Sequence, residues 1–334
     1  MIERLSGGTA NRTYRVTLPS AEATAPLSDH QDPTRGVVFA LKSYCGDDGA
    51  AHDRAGTEMR FLRYAWSVGV RAIPRPFECD RVAGLLLMEY VDGSPISVGQ
   101  VGDHEMREAA AFLRALNRFR EAAGDLPDAH EAAFRLADHV ENIEARVTRL
   151  TSTSSGWSTS DVVEFLSERL VPQWTSVRDE LKLHAAEIGL SFDSELPIYE
   201  RVVSPVDFGF HNALRTPAGP LTFVDFEGAG WDDPARLVCD FFTQPAVPVP
   251  DRYLSGMVDE LAAILDLDDE RAELLAARVE LLLPIYRVKW CCRLLGELSP
   301  AGRARREYTG GGIDEAGIHA QLTKALQLLE NVSA

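Results

Sequence analysis

Ser204-Pro-Val-Asp-Phe-Gly-Phe-His-Asn212, followed by Leu221-Thr-Phe-Val-Asp-Phe-Glu227, is the stretch on which the reading of this chain turns. Three groups converge in it: Asp207, Asn212 and, at the end of a strand-like run, Asp225. Phosphoryl transfer asks for few protein parts. A carboxylate must orient the attacking hydroxyl and accept its proton, and hard oxygen ligands must hold magnesium on the nucleotide phosphates. Asp207 suits the first role, and Asn212 and Asp225 suit the second. On a strand Asp225 and Glu227 point to one face, so Glu227 would support the metal or the acceptor.

Working outward, Val37-Val-Phe-Ala-Leu-Lys42 is a buried-type strand ending in lysine. The chain has only four lysines, Lys42, Lys182, Lys289 and Lys324, against 30 arginines, so a lysine at that place is not compositional drift. A compact ammonium suits bridging phosphates. Glu58, on a helix expected over 51–68 with Met59, Leu62 and Trp66 along one face, could pair with it. Leu5-Ser-Gly-Gly-Thr-Ala-Asn-Arg-Thr-Tyr-Arg-Val16 reads as strand, turn, strand; Gly7 and Gly8 permit the close backbone approach a phosphate needs. An ordinary β-turn would look the same. Leu85–Val91 reads as a further strand running into Asp92-Gly93-Ser94-Pro95, a turn and a natural boundary. The polar segment 19–36 reads as a surface loop.

Beyond that boundary helical spacing takes over, over 105–120, 131–150, 161–187 and several segments from Tyr253 to Asn331. A loop rich in Ser and Thr separates them at 151–160. Ser204–Asp240 interrupts the helices with short strand-like pieces at 213–214 and 221–226. No internal repeat is visible. The expected fold class is α+β: a small β-rich lobe, residues 1–91, followed by a large helical lobe, residues 92–334, with a ligand crevice between them.

Composition closes off other classes. A chain of 334 residues with 45% hydrophobic and 25% charged residues is neither disordered nor fibrous. No apolar run approaches the ~20 residues of a membrane span, and the start lacks a secretory layout. Five scattered cysteines (45, 79, 239, 291 and 292) suit a reducing compartment and no zinc site, so a cytoplasmic location is expected. Residues 1–91 hold equal numbers of acids and bases, so residues 92–334 carry the whole net charge of −17. Such a surface repels nucleic acid and anionic membrane and would attract a cationic small molecule; it also simply serves solubility. Oligomeric state has no signature.

With these pieces in order, the chain resembles the aminoglycoside phosphotransferase and choline kinase group, a branch of the protein-kinase-like fold, from Gly7 to Asp240. Gly7-Gly8-Thr9-Ala10-Asn11 resembles the nucleotide loop, Ala40-Leu41-Lys42 the phosphate-binding lysine, and Glu58 its helix partner. Met88-Glu-Tyr-Val91 resembles the hinge, where Glu89 and Val91 would offer backbone groups to the base. Asp207 to Asn212 keeps the catalytic-loop spacing, and Val224-Asp225-Phe226-Glu227 resembles the metal-binding strand end. The resemblance implies a two-lobed kinase fold, ATP and Mg2+ as cofactors, and phosphorylation of a hydroxyl on a small-molecule acceptor. Two departures stand out. Pro205-Val206 replace the family's His-Gly before the catalytic aspartate, and Asp240, placed like the buried aspartate that bonds the catalytic loop, follows Pro234 at a longer interval than usual.

The acceptor is left open among an aminoglycoside or other aminated compound, choline or ethanolamine, and a sugar. The Asp225-Phe-Glu227 pattern looks more like choline kinases, but no aromatic cage is readable among Trp66, Trp157, Trp174, Trp231 and Trp290. No Ala-Pro-Glu segment follows Asp225, which argues against a protein kinase. A non-catalytic nucleotide-binding scaffold would explain the missing histidine but not the retained Lys42, Glu58, Asp207, Asn212 and Asp225. His211 reads as structural, and the helices after Tyr253 as completing the acceptor pocket.

Overall fold

The computed structural model describes residues 1–5, 11–19, 37–45, 53–153, 156–157 and 159–331. Gly7, Gly8, the first helical positions expected at 51–52 and nearly all of the 19–36 loop lie outside the described residues.

The first lobe is an antiparallel sheet of β1 (Ile2–Arg4), β2 (Asn11–Leu18), β3 (Val37–Tyr44), β4 (Pro76–Asp80) and β5 (Leu85–Glu89), in the order β1-β2-β3-β5-β4. In β3 the alternation of period two puts Val37, Phe39 and the β-branched neighbours to work, yet Ala40, Lys42 and Tyr44 are buried on the other face. That second face is covered by α1 (Arg54–Ser67), which starts where the Asp53 carboxylate accepts from the Gly56 N–H. Met59 and Leu62 are buried as the helical spacing requires, and Trp66 is half-buried.

After β5 the chain crosses to the second lobe, where β6 (Ser94–Pro95) already pairs with β8 (Ala213–Arg215), which pairs with β9 (Leu221–Phe223). The helices are α2 (Asp103–Asn117), α3 (Leu136–Ser152), α4 (Ser160–Phe165) and α5 (Val171–Glu187), the last two joined by a π-helical stretch at Leu166–Leu170. Further on come α6 (Pro234–Thr243), α7 (Leu254–Leu265), α8 (Asp269–Gly296), α9 (Pro300–Tyr308) and α10 (Glu315–Glu330). β7 (Val202–Ser204) and β10 (Gly230–Asp232) form a separate antiparallel pair in front of α6.

Helix starts differ from the expected ones for local reasons. The Glu105 carboxylate accepts from the Gly102 N–H at 2.9 Å, so α2 begins before Glu105. The Asp138 carboxylate accepts from the Phe134 and Arg135 N–H groups at 3.1 and 2.9 Å, so α3 begins at Leu136 and not near Glu131, whose φ of 57° excludes it from a helix. Among the described residues no helix is long and apolar enough to cross a membrane.

Candidate active site

An aromatic seam holds the two motif segments against both lobes. Phe208, Phe210, Phe223 and Phe226 are buried. Phe208 packs on Phe112, Phe223 and Phe241 with centroids 5.5, 5.0 and 5.1 Å apart, and Phe226 stacks on Phe61 of α1 at 4.6 Å. The residues between these rings are thereby turned toward the crevice: Asp207, His211 and Asn212 on one segment, Asp225 and Glu227 on the other. β7, which leads into the first segment, is held by Asn117, whose side chain both donates to the Val203 carbonyl (3.1 Å) and accepts from its N–H (2.8 Å).

Lys42 is 5% exposed and Glu58 1% exposed. Their side chains meet at 2.7 Å, and Lys42 also donates to Asp225 across the crevice. Burial works against a charged Lys42, but Asp225, Glu58 and Glu227 outweigh it and hold its ammonium well above the usual range. Tyr44 donates its hydroxyl to the same Glu58 oxygen, and burial and Glu58 together push its phenol up. Sequence reading missed Tyr44; its signal was strand alternation, which puts residue 44 on the face of Lys42.

Asp225 and Glu227 do converge on Lys42, but not by strand alternation. β9 ends at Phe223, and Asp225 has φ 72°, so a left-handed turn aims its carboxylate. Glu227 Oε2 is 3.9 Å from Lys42 Nζ and accepts from Asn11 Nδ2 at 2.7 Å. Burial and then Asp225 push the Glu227 carboxyl up.

Val206 and Asp207 have φ of 51° and 52°. A β-branched residue is costly there, and such strain persists where the surrounding structure imposes it. The turn presents the Asp207 carboxylate to two basic groups: His211 Nε2 lies 3.2 Å from Oδ1, and Arg293 of α8 donates to Oδ2 at 2.8 Å. Burial pushes Asp207 up, but Arg293 and His211 outweigh it and hold the carboxyl well below the usual range. His211, read as structural, is thus on the carboxylate itself. Arg293 was not found from sequence, where one basic residue in a long helix has no signature. The expected helices after Tyr253 do reach the site, through bases.

Asn212 donates its amide to the Asp207 carbonyl at 3.0 Å, and its own carbonyl accepts from the Val224 N–H at 2.9 Å. That second bond, between backbone groups, ties the Asp207 segment to the Asp225 segment. Asp225, with 36% of its side chain exposed, is open to a cation. At the expected hinge, the Glu89 N–H is spent on the Arg75 carbonyl at 2.8 Å, and Val91 lies in the irregular crossing between lobes. The recorded partners of Asp240 are Lys289, at 2.6 Å from both carboxylate oxygens, and Arg236 at 3.7 Å, so it braces α8 against α6.

The model of the phosphotransferase enzyme family matches residues 1–274. No curated protein matches the sequence. Among solved structures, an ethanolamine kinase from Plasmodium vivax is 12% identical, with 100% of this chain and 82% of that chain covered and a TM-score of 0.57. A choline kinase from Cryptosporidium parvum is 13% identical, with 100% and 90% covered and a TM-score of 0.57. An aminoglycoside phosphotransferase solved with ADP is 12% identical, with 99% and 94% covered and a TM-score of 0.52. At such identities the likeness is one of fold, the two-lobed α+β kinase-like fold.

Proposed function

The chain belongs to the phosphotransferase enzyme family, and from that membership we propose that it transfers the γ-phosphate of ATP to a hydroxyl of a small-molecule acceptor. The observation that carries the reading is the Asn212–Val224 hydrogen bond, which sets Asp207 and Asn212 beside the Lys42–Asp225–Glu58 cluster.

Lys42 binds the nucleotide phosphates, and Glu58 with Tyr44 fixes its position. Asn212 and Asp225 would hold a magnesium ion, which when bound would supply neutralisation of charge on the phosphates. Asp207 orients the acceptor hydroxyl and takes its proton. The acceptor oxygen bonds to the γ-phosphorus as the bond to the bridging oxygen breaks and ADP leaves.

The experiment is incubation of the full chain with magnesium-ATP and pooled aminoglycosides, amino alcohols, sugars and hydroxy amino acids, with phosphate gain followed by mass spectrometry. A phosphorylated product absent with Asp207→Ala supports the reading. ATP bound but never turned over leaves two readings, an acceptor outside the pool or a non-catalytic scaffold, and no ATP binding at all overturns the motif assignments.

A further inference from the structure

The large lobe is acidic, but the surroundings of Asp207 are not. Three basic groups act on its carboxylate: Arg293 at Oδ2, His211 at Oδ1 and, further away, Lys289. Lys289 lies one turn before Arg293 on α8 and is matched by both oxygens of Asp240. Arg293 is held through a single oxygen, Asp207 Oδ2. Its side chain is 49% exposed, and the carboxylate it holds is the group that must receive the acceptor hydroxyl. The acceptor therefore reaches Asp207 past a guanidinium. Asp225 and Asp240 also act on Arg293, but Lys42 and Lys289 already engage them.

Trp290 supplies a second, independent observation. It is 6% exposed, and its indole N–H is buried without a partner among the described residues. Its ring lies 5.0 Å from the Arg293 guanidinium, 5.9 Å from the Lys289 ammonium and edge-on to His211 at 6.3 Å. The aromatic face that could receive an acceptor ammonium is thus already taken by the protein's own cations. Two ring nitrogens here, Trp290 Nε1 and His211 Nδ1, are buried with no hydrogen-bond partner among the described residues.

We propose that Arg293 is an acceptor-binding residue and that the acceptor is a hydroxylated acid, whose hydroxyl reaches Asp207 while an anionic group of the same molecule takes the Arg293 guanidinium. Arginine's fixed fork suits a carboxylate or a phosphate, and gaining that partner compensates the guanidinium for giving up Asp207 Oδ2. The inference rests on the kinase reading of Asp207 and deepens it. It also reverses what net charge alone suggests, an affinity for cationic acceptors.

The test uses matched acceptors with the full chain and magnesium-ATP: glycerate and glycerol 3-phosphate against glycerol, homoserine against its alcohol, and choline, ethanolamine and kanamycin beside them. The expected result is a kcat/KM at least tenfold higher for an acid than for its alcohol. Arg293→Gln brings that ratio toward one by raising KM for the acid, and Arg293→Lys recovers part of it. The carboxylate and phosphate arms separate the two anion types. Binding is read independently by calorimetry of glycerate and malonate with the AMP-PNP complex; wild type binds, Arg293→Gln does not, and melting temperatures confirm that the variant is folded. A neutral or cationic acceptor preferred by wild type and indifferent to Arg293→Gln overturns the proposal while leaving the kinase reading standing. Wild type that binds neither acid overturns it as well. Loss of the kinase reading looks different: nucleotide turnover unchanged by Asp207→Asn.

Discussion

Asn11 and Glu227 are joined by a 2.7 Å hydrogen bond between strand β2 of the first lobe and the turn that carries Asp225 in the second. Asn11 is buried, and its other side-chain atom, Oδ1, has no partner among the described residues. The bond couples the segment that follows the glycine pair to the carboxylates around Lys42. Asn11→Ala removes a hydrogen bond to a charged group, worth ~1.5–3 kcal/mol, so kcat/KM for ATP should fall about tenfold to a hundredfold. Asn11→Asp should be worse, because it sets another carboxylate against Glu227 and Asp225. ATP kinetics for both variants decide the matter, and equal deficits would count against the coupling.

Lys42 is held by one fully buried carboxylate and one that is partly open. Lys42→Met should therefore lower stability as well as turnover. It strands Glu58 in the interior with Tyr44 as its remaining donor, and breaking a buried pair from one side costs about 3–5 kcal/mol. Turnover should drop about 10²–10³-fold, the scale for losing a preorganised group that stabilises charge in the transition state. Glu58→Gln keeps the Tyr44 contact and leaves Lys42 on Asp225, so it should cost less on both counts. Urea unfolding and steady-state kinetics of the two variants provide the check; a Lys42→Met protein as stable as wild type would show that the Tyr44 hydroxyl alone compensates Glu58.

Much of this site was legible in the sequence because its residues are close-spaced in two short segments. Asp207, Asn212 and Asp225 are positioned by local turns and by the phenylalanines between them, and Lys42 and Glu58 by one strand and the next helix. What was not legible comes from far along the chain. Arg293 reaches Asp207 only because α8 is packed against α6 by Lys289 and Asp240, a relation no spacing encodes. Asp225 and Glu227 were placed on the right face for the wrong reason, since a left-handed residue and not a strand aims them. The −17 charge was read as one surface, whereas the groups nearest the carboxylate of Asp207 are basic.

Arg293 and His211 keep Asp207 ionised far into the acid range, so its protonation should not limit the reaction at mild pH. The pH profile of kcat/KM, which reports the free enzyme, should show no acid limb from Asp207 between pH 5 and 7; an acid limb there that moves up in His211→Gln would reassign the carboxylate's environment. Stability has its own acid dependence. Glu131 accepts from Arg146, which outweighs burial and brings the carboxyl from 4.5 down to about 2. A depressed folded value stabilises above the unfolded one and is lost as pH falls through the folded one. The contribution is thus complete above about pH 4.5 and gone near pH 2. At ~1.4 kcal/mol per pH unit it is worth roughly 3 kcal/mol at neutral pH. Glu131→Gln should unfold at lower urea at pH 7 and lose less on acidification to pH 3. Parallel curves for the two proteins would remove Glu131 from the account.

Gly230 lies in β10 directly opposite Ser204, the residue that leads into the Asp207 segment. A Cβ there would stand 2.3 Å from the Pro127 carbonyl oxygen and 2.7 Å from the Ala129 nitrogen. Neither can retreat freely, because the Trp231 N–H donates to the Pro127 carbonyl and the Ala129 N–H donates to the Trp231 carbonyl, both at 2.9 Å. Gly230→Ala must therefore push β10 away from the 127–129 segment or break those bonds. Overpacking of this kind costs about 1–3 kcal/mol before any lost hydrogen bond is added. At ~2–4 °C per kcal/mol the melting temperature should fall by several degrees. The displacement is transmitted through the Ser204 pairing, so kcat should fall with it while ATP affinity, set by Lys42 and the first lobe, changes little. Calorimetry together with ATP binding separates the two effects. A variant that loses ATP affinity as severely as kcat would show that the β7–β10 pair supports the whole crevice and not the Asp207 segment in particular.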